Sequence, residues 1–250
     1  MRNATTGAQA RRALPGAGAG RYARAFQLED ARRMPHAEDR EIARRVANRY
    51  RRPWHRDYAR SKLRLDPAYA FVADIVVDGM PLLDVGCGLG LLGFYLRERG
   101  WRGAYLGVDF DAPKIAEARR AANGQRDLAF DDGAAQRLPG FHGHVALLDV
   151  LHYLEREEQV ALLREAAARV APGAALVVRS VLRDRGWRFR ATVIEEWFLH
   201  ALRWMPSPAK HYPVREDIER PLRDAGLVVE VHPLWGNTPF NSFVIVARRV

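Results

Sequence analysis

The chain has one cysteine, Cys87, in 250 residues, so no internal disulfide framework can hold it together, and the disulfide-stapled secreted scaffolds are excluded. Its longest apolar runs fall far short of the roughly 18 residues a membrane helix needs. The first residues lack the apolar core of a secretory signal. With so little thiol the chain suits a reducing compartment, and the expectation is a soluble, cytoplasmic protein. No internal repeat appears, which argues against a solenoid. The 48% apolar content, over a length that suits one large domain, can supply a core without a metal or a disulfide, and no metal site is expected.

The formal charge of +10 would suit nucleic acid, because Lys and Arg neutralise phosphates without reading sequence. Its distribution argues otherwise. Residues 1–66 hold 17 Lys and Arg against 7 Asp and Glu, which leaves 23 of each sign in the rest of the chain. The excess therefore sits in a leader. That leader suits a solvated basic extension, attraction to an anionic membrane surface or substrate carrier, or, less well, nucleic acid. Only Tyr22 and Phe26 are interleaved with the basic residues from Arg2 to Arg33, a thin platform for stacking bases.

Residues 1–27, rich in Ala, Gly and Arg, show no sustained apolar period and are expected to be disordered. Residues 28–66 read as a basic, aromatic, helical extension: Ile42, Val46 and Tyr50 recur at four-residue spacing between arginines. Pro67 opens a helix running to about Val77. Beyond it, residues 67–250 alternate apolar runs with helical stretches, the mark of crossover units on a parallel sheet. Strands are expected at 81–85, 104–109, 127–131, 145–149, 174–179, 227–231 and 243–247. Helices are expected at about 89–99, 112–122 and 155–170, with a last one broken by Pro221. An insertion at 181–212 carries a helix from Trp187 to Trp204 with Phe189, Val193, Ile194, Trp197, Phe198 and Ala201 along one side, suited to core packing or to a pocket wall. The connection from His232 to Ser242 is long for a hairpin.

The informative segment is Pro81-Leu-Leu-Asp-Val-Gly-Cys-Gly-Leu-Gly-Leu-Leu-Gly-Phe94. A strand ending at Val85 runs into Gly86, Gly88 and Gly90, where the chain can turn tightly and bring bare backbone against a ligand. Gly88, Gly90 and Gly93 also spell the dinucleotide fingerprint, with Asp109 where a ribose-binding acid is expected. Register speaks against it, since Gly93 falls inside the following helix. Asp84 speaks against it too: a carboxylate beside the turn suits a sulfonium with an ammonium group and repels a pyrophosphate.

Leu83-Asp-Val-Gly-Cys-Gly-Leu-Gly90 followed by Leu106-Gly-Val-Asp109 resembles the first two motifs of the class I S-adenosylmethionine-dependent methyltransferases, small-molecule type. The resemblance covers about residues 69–250. It implies an α/β fold, a Rossmann-like seven-stranded sheet, mostly parallel with the last strand antiparallel and helices on both faces, and S-adenosylmethionine as cofactor. It further implies that Gly86, Gly88 and Gly90 face the methionine portion and that Asp84 holds its amino group. Asp109 would accept the ribose hydroxyls, its two oxygens matching two adjacent donors, and Phe110 would line the adenine pocket. Asp109 would equally suit a helix cap after a strand. Cys87 would line the pocket without acting as nucleophile. In Phe130-Asp-Asp-Gly-Ala-Ala-Gln-Arg-Leu-Pro139, relatives have an acid at Ala134 for the adenine amino group; Asp132 or a backbone carbonyl would have to substitute. Leu147-Leu-Asp-Val-Leu-His-Tyr-Leu154 resembles the end of the fourth strand, which puts Asp149 on the cofactor side. Asn237-Thr-Pro-Phe-Asn241 and the strand after it also resemble this group.

Methyl transfer is an in-line displacement that needs alignment and, for a protonated nucleophile, a base. His152, just after the fourth strand, is the first candidate, with a packed histidine the plainer reading. His211 and Tyr212 come second, and Glu195, Glu196 and His200 after them. No Asn-Pro-Pro-Tyr segment or Pro-Cys nucleophile is present, which favours a small-molecule acceptor. Trp54, Tyr58, Trp187, Trp197, Trp204 and Trp235 could form an apolar chamber. The basic stretch Arg49–Arg64 could meet a carboxylate or a carrier-bound chain, and a similarity to methyltransferases encoded with polyketide or aryl-polyene pathways implies a phenolic or acyl acceptor. An RNA methyltransferase recruited by the leader, a non-catalytic scaffold keeping the fold, and a dinucleotide oxidoreductase are the alternatives.

Overall fold

A computed structural model describes residues 37–133, 138–193, 209–235 and 240–249. The basic leader, Ala134, most of the Trp187–Trp204 segment with Glu195, Glu196, Trp197, His200 and Trp204, and residues 237–239 lie outside the described residues.

Seven strands form one sheet: β1 (Leu82–Val85), β2 (Tyr105–Asp109), β3 (Leu128–Asp132), β4 (His144–Leu148), β5 (Ala175–Val181), β6 (Val228–Pro233) and β7 (Ser242–Arg248). Their order is β3-β2-β1-β4-β5-β7-β6. Neighbours from β3 to β5 pair in parallel, while β7 pairs antiparallel with both β5 and β6. This is the expected α/β sheet, with every strand within two residues of its expected bounds. The central strands read as unbroken apolar runs because both of their faces are covered. Leu82, Tyr105, Phe130, Ala146 and Val177 enter one core. Leu83, Val85, Val108, Leu147 and Val178 enter the other.

The first core lies under α1 (Ala37–Ala47), α2 (Pro53–Leu65), α3 (Ala68–Ile75), α4 (Leu91–Glu98) and α5 (Ala112–Ala122). The second lies under α6 (Arg156–Ala168) and α7 (Arg215–Asp224). Local chemistry sets the ends of these helices. Pro53 occupies the first turn of α2, where its missing N–H is harmless. The Asp111 side chain accepts from Lys114 N–H at the start of α5, and Glu155 and Glu158 form a capping box on α6. Pro221 does not break the last helix: α7 runs through it to Asp224, with Pro221 buried inside. Packing against the second core outweighs the one backbone bond lost there. The strand β6 continues to Pro233, and Leu234 N–H donates to Ser242 O at 2.9 Å, so the connection to β7 is shorter than expected.

The basic segment 37–65 is part of the main core. Ile42, Val46, Ala59 and Leu63 are buried with Leu92, Phe94 and Leu96 of α4. Arg45 and Arg49 both pair with Glu98, Tyr95 Oη donates to Asp39 at 2.5 Å, and Tyr50 Oη donates to Leu89 O at 2.8 Å. The last of these ties α1 to the loop between β1 and α4, the loop that carries the glycines. Truncating a buried hydroxyl with one hydrogen bond costs about 1–2 kcal/mol. Tyr50→Phe is therefore expected to lower unfolding free energy by about that amount in urea titrations, and a change within error would show that this hydrogen bond adds nothing to the hold of the N-terminal segment on the glycine loop.

Candidate functional site

The strand order reverses between β1 and β4, since β2 and β3 lie on one side of β1 and β4 and β5 on the other. Open α/β sheets present a crevice at such a reversal, beyond the carboxyl ends of the strands. Three segments meet there: the glycine turn after β1, the acid ending β2 and the turn after β4.

Gly86, Gly88 and Gly90 have φ of 76°, 54° and 78°, a left-handed region that side chains rarely enter. Gly86 and Gly90 are also fixed by space. A β-carbon at Gly86 would fall 2.4 Å from Val150 Cγ2, and one at Gly90 2.5 Å from the Phe130 ring. Gly88 differs, for its added β-carbon would meet nothing closer than Lys114 Cδ at 4.0 Å. Its bare backbone faces open space. Gly93 has the packing role read from the sequence, since an added β-carbon would lie 2.9 Å from the Tyr105 ring.

Asp109 is buried at the end of β2. Its Oδ2 accepts from Gly88 N–H at 2.8 Å and its Oδ1 from Asp111 N–H at 2.9 Å. The helix-cap role considered for it belongs to Asp111. A carboxylate offers about four acceptor positions, so each oxygen of Asp109 keeps capacity for a further donor. Phe110, the next residue, exposes 71% of its surface. Asp132 pairs with Asp109 across the β2–β3 register, but its carboxylate meets Arg119 at 3.3 Å.

Asp84 faces the first core, where Tyr105 Oη donates to it at 2.6 Å. Burial raises its carboxyl to about 7, the Tyr105 bond partly offsets this, and the Asp109 charge adds to it. In this arrangement Asp84 anchors Tyr105 beneath the turn. Cys87 is also buried, and burial, with the Asp84 and Asp109 charges, pushes its thiol up, so it is a protonated wall residue. Its sulfur lies where a side chain at Gly107 would be.

Asp149, with a φ of 61°, follows β4. Its carboxylate lies 3.2 Å from Lys62 Nζ and pairs with the Arg179 guanidinium. Asp66 closes the cluster, at 2.9 Å from Lys62 and 2.8 Å from Arg179. Burial would raise Asp149, but the Arg179 and Lys62 charges outweigh it and hold it well below the usual carboxylate range. Lys62, Asp66 and Arg179 were not singled out in the sequence. An arginine within the apolar run Ala175–Val181 is the signal that could have found the cluster.

His152 is buried in the short turn Leu151–Tyr153. Its ring lies 4.1 Å from Tyr153 and stacks on Tyr212 at 6.3 Å. Val150, two residues earlier, covers Gly86, so this histidine belongs to the same corner as the glycine turn. His211 does not join it by side chain: its imidazole approaches Asp217 at the start of α7 at 3.9 Å. Of the aromatic residues expected to line a chamber, Trp54 is half exposed and packs on His55. Trp187 is exposed, and Trp235 meets Phe243 edge to face and lies under Arg188.

A family model described as a methyltransferase domain matches residues 82–173. The ribosomal protein L11 methyltransferase of Methylobacillus flagellatus is 30% identical over 131 residues, 52% of this chain and 41% of that protein. The ribosomal RNA small subunit methyltransferase C of Chromohalobacter salexigens is 35% identical over 105 residues, 40% of this chain and 31% of that one. The chain thus spans less than half the length of these curated relatives. The magnesium protoporphyrin IX methyltransferase of Synechocystis, solved with bound SAH, shares the fold with a TM-score of 0.57 at 20% identity, covering 84% of this chain and 94% of its own. Residues 82–173 thus match a methyltransferase domain, and the chain shares the fold of a solved methyltransferase. The matched segment runs from the start of β1 to the end of the α6–β5 connection, so it contains the glycine turn, Asp109 and His152.

The Asp84 carboxyl, neutral in the folded chain up to about pH 7, ionises near 3.9 once unfolded. The unfolded state therefore releases its proton first, and stability falls as pH rises from about 4 to about 7. A shift of roughly three units is worth about 4 kcal/mol when complete. Asp84→Asn removes this loss, so its stability relative to wild type is expected to rise by about 2–3 kcal/mol between pH 5 and pH 8. Guanidinium unfolding at both pH values measures it, and an equal offset at the two would show that the Asp84 carboxyl titrates as an ordinary surface acid.

Proposed function

We propose that the chain transfers a methyl group from S-adenosylmethionine to a small-molecule acceptor, phenolic or carboxylic. One observation carries the reading: Gly88 presents bare backbone to open space while its N–H is held by Asp109, a buried carboxylate with acceptor capacity left on both oxygens. These residues fit the adenosyl cofactor, with Asp109 for the ribose hydroxyls and the exposed Phe110 ring beside it for the adenine. The Asp132 carboxylate could serve the adenine only by leaving Arg119. When bound, the cofactor supplies an electrophilic methyl on sulfur.

The work left to the chain is alignment and proton removal. The Val150 contact on Gly86 holds the β4 turn against the glycine turn, and that turn carries His152. The imidazole there is the group placed to take the acceptor proton, with Tyr153 and Tyr212 restricting the ring's orientation. The buried cluster of Lys62, Asp66, Asp149 and Arg179 keeps the ends of β4, β5 and α2 in fixed relation. A small acceptor is supported by the absence of an amide- or adenine-methylating motif after β4 and by the fold shared with a porphyrin methyltransferase. Similarity to two methyltransferases of ribosomal components supports a second reading, a macromolecular acceptor such as RNA. Salt-sensitive RNA methylation by the purified chain, with phenols and carboxylates inert, would favour it.

Titration calorimetry with S-adenosylhomocysteine is expected to give micromolar or tighter binding, weakened at least tenfold by Asp109→Ala, a loss of about 1.4 kcal/mol or more. No heat at millimolar ligand, with NAD bound instead, would overturn the proposal in favour of a dinucleotide enzyme; neither ligand binding would leave a scaffold. For His152→Asn the expected result is a kcat at least tenfold lower, within the range of general-base contributions, at unchanged cofactor affinity. An unaltered kcat would make transfer purely proximity-driven.

A further inference from the structure

A cavity of about 540 Å³ opens between the end of α1 and the end of α5, lined by Arg49, Arg51, Arg119, Arg120, Asn123 and Gln125 without any carboxylate. Four arginines bordering one cavity concentrate positive charge there. Their counter-charges lie away from the lining. Arg49 pairs with Glu98, Arg120 with the buried Glu117, and Arg119 with Asp131 and Asp132. Arg51 is exposed and makes no ion pair among the described residues. Arg49 is held further by the Gln125 amide oxygen, which in its bonded orientation accepts at 2.9 and 3.1 Å, and by stacking over Phe94 at 5.3 Å. Its Nε is nevertheless buried with no acceptor. Leaving a charged donor buried and unmet is costly.

We infer that this cavity is a binding site for a soluble anion carrying two linked phosphates, separate from the methyl-transfer crevice. Guanidinium forks match phosphate oxygens in pairs. Beyond the bonds made to Glu98, Glu117, Asp131 and Asp132, these arginines keep N–H groups on separate residues that a diphosphate spans better than one orthophosphate, and the amides of Asn123 and Gln125 add neutral donors. The lining arginines come from the turn after α1 and from the last turn of α5, two segments packed on the same core. Arg119 links it to the crevice, because the same guanidinium meets Asp132 beside Asp109. An anion competing for Arg119 would loosen its hold on Asp132.

Calorimetry of the full chain with inorganic pyrophosphate in 50 mM NaCl is expected to give a submillimolar Kd, with orthophosphate at least fivefold weaker and affinity falling as salt rises. Arg51→Glu and Arg119→Gln should each weaken pyrophosphate at least fivefold, while Arg164→Glu, an exposed arginine on α6 across the sheet, should leave it unchanged. ADP binding tighter than pyrophosphate would assign the site to a nucleotide diphosphate, and equal binding to the diphosphate alone; both support the inference. No heat at millimolar pyrophosphate would overturn it. So would an equal loss in all three variants, which marks diffuse charge attraction, or an oligoribonucleotide whose binding depends on Arg51 when that of pyrophosphate does not. The melting temperature of Arg51→Glu, expected to match wild type, separates lost binding from lost structure.

Discussion

At Gly86 and Gly90 the backbone after β1 lies against side chains of other strands so closely that no β-carbon fits. Val150 from the β4 turn fills one position and Phe130 from β3 the other. This contact sets the distance between the two halves of the sheet where its order reverses. Once the turn is pinned on both sides, Gly88 between them faces outward, and its N–H falls within reach of Asp109 on β2. Phe130 in turn packs on Tyr105, whose hydroxyl is fixed by Asp84. A chain of hard contacts thus runs from the sheet interior to the rim of the crevice, and close-packed interiors transmit such constraints with little slack.

Close to the crevice, charge is paired within one compact cluster. Lys62, Asp66, Asp149 and Arg179 sum to zero charge in a half-buried cluster that ties α2 to the ends of β4 and β5. Removing one member would strand another in low dielectric, so the cluster specifies the position of these ends more than it adds to net stability. The arginines around the second cavity have acids behind them and only neutral amides beside them. Two of these arginines, Arg49 and Arg51, come from the basic N-terminal part and two, Arg119 and Arg120, from the part whose charges balance, so the local electropositive recess is not disclosed by the charge of either part alone.

Strand positions were legible because each strand is an apolar run bounded by turn residues, and both faces of the sheet are buried. The glycine turn and Asp109 were legible because a strand, three glycines and an acid one strand later leave few geometries open. Less legible were the residues that act through neighbours far along the chain. Asp84 reads as a cofactor ligand from its motif, yet its carboxylate is bound to Tyr105. Asp149 reads as bordering the cofactor, yet it is held by Lys62 and Arg179. His211 reads as a second base, yet it turns toward Asp217 at the next helix. In each case the competing partner lies 21 or more residues away or across a turn, beyond local pattern.

In the N-terminal segment, Ile42, Val46 and Tyr50 read as one face of a short amphipathic helix lying on the domain, and in the fold they are buried in the central core; that Leu63 joins them and that Tyr50 reaches the glycine loop was not legible. Sequence alone determined the periodicities, the caps and the left-handed turn, because these depend on covalent geometry and on neighbours within about four residues. Tertiary structure decided which acid meets a base, which acid is left open to a ligand, and which arginines share a cavity. Those outcomes depend on which strands become neighbours, and that is fixed by long-range burial of apolar surface, which no local pattern encodes.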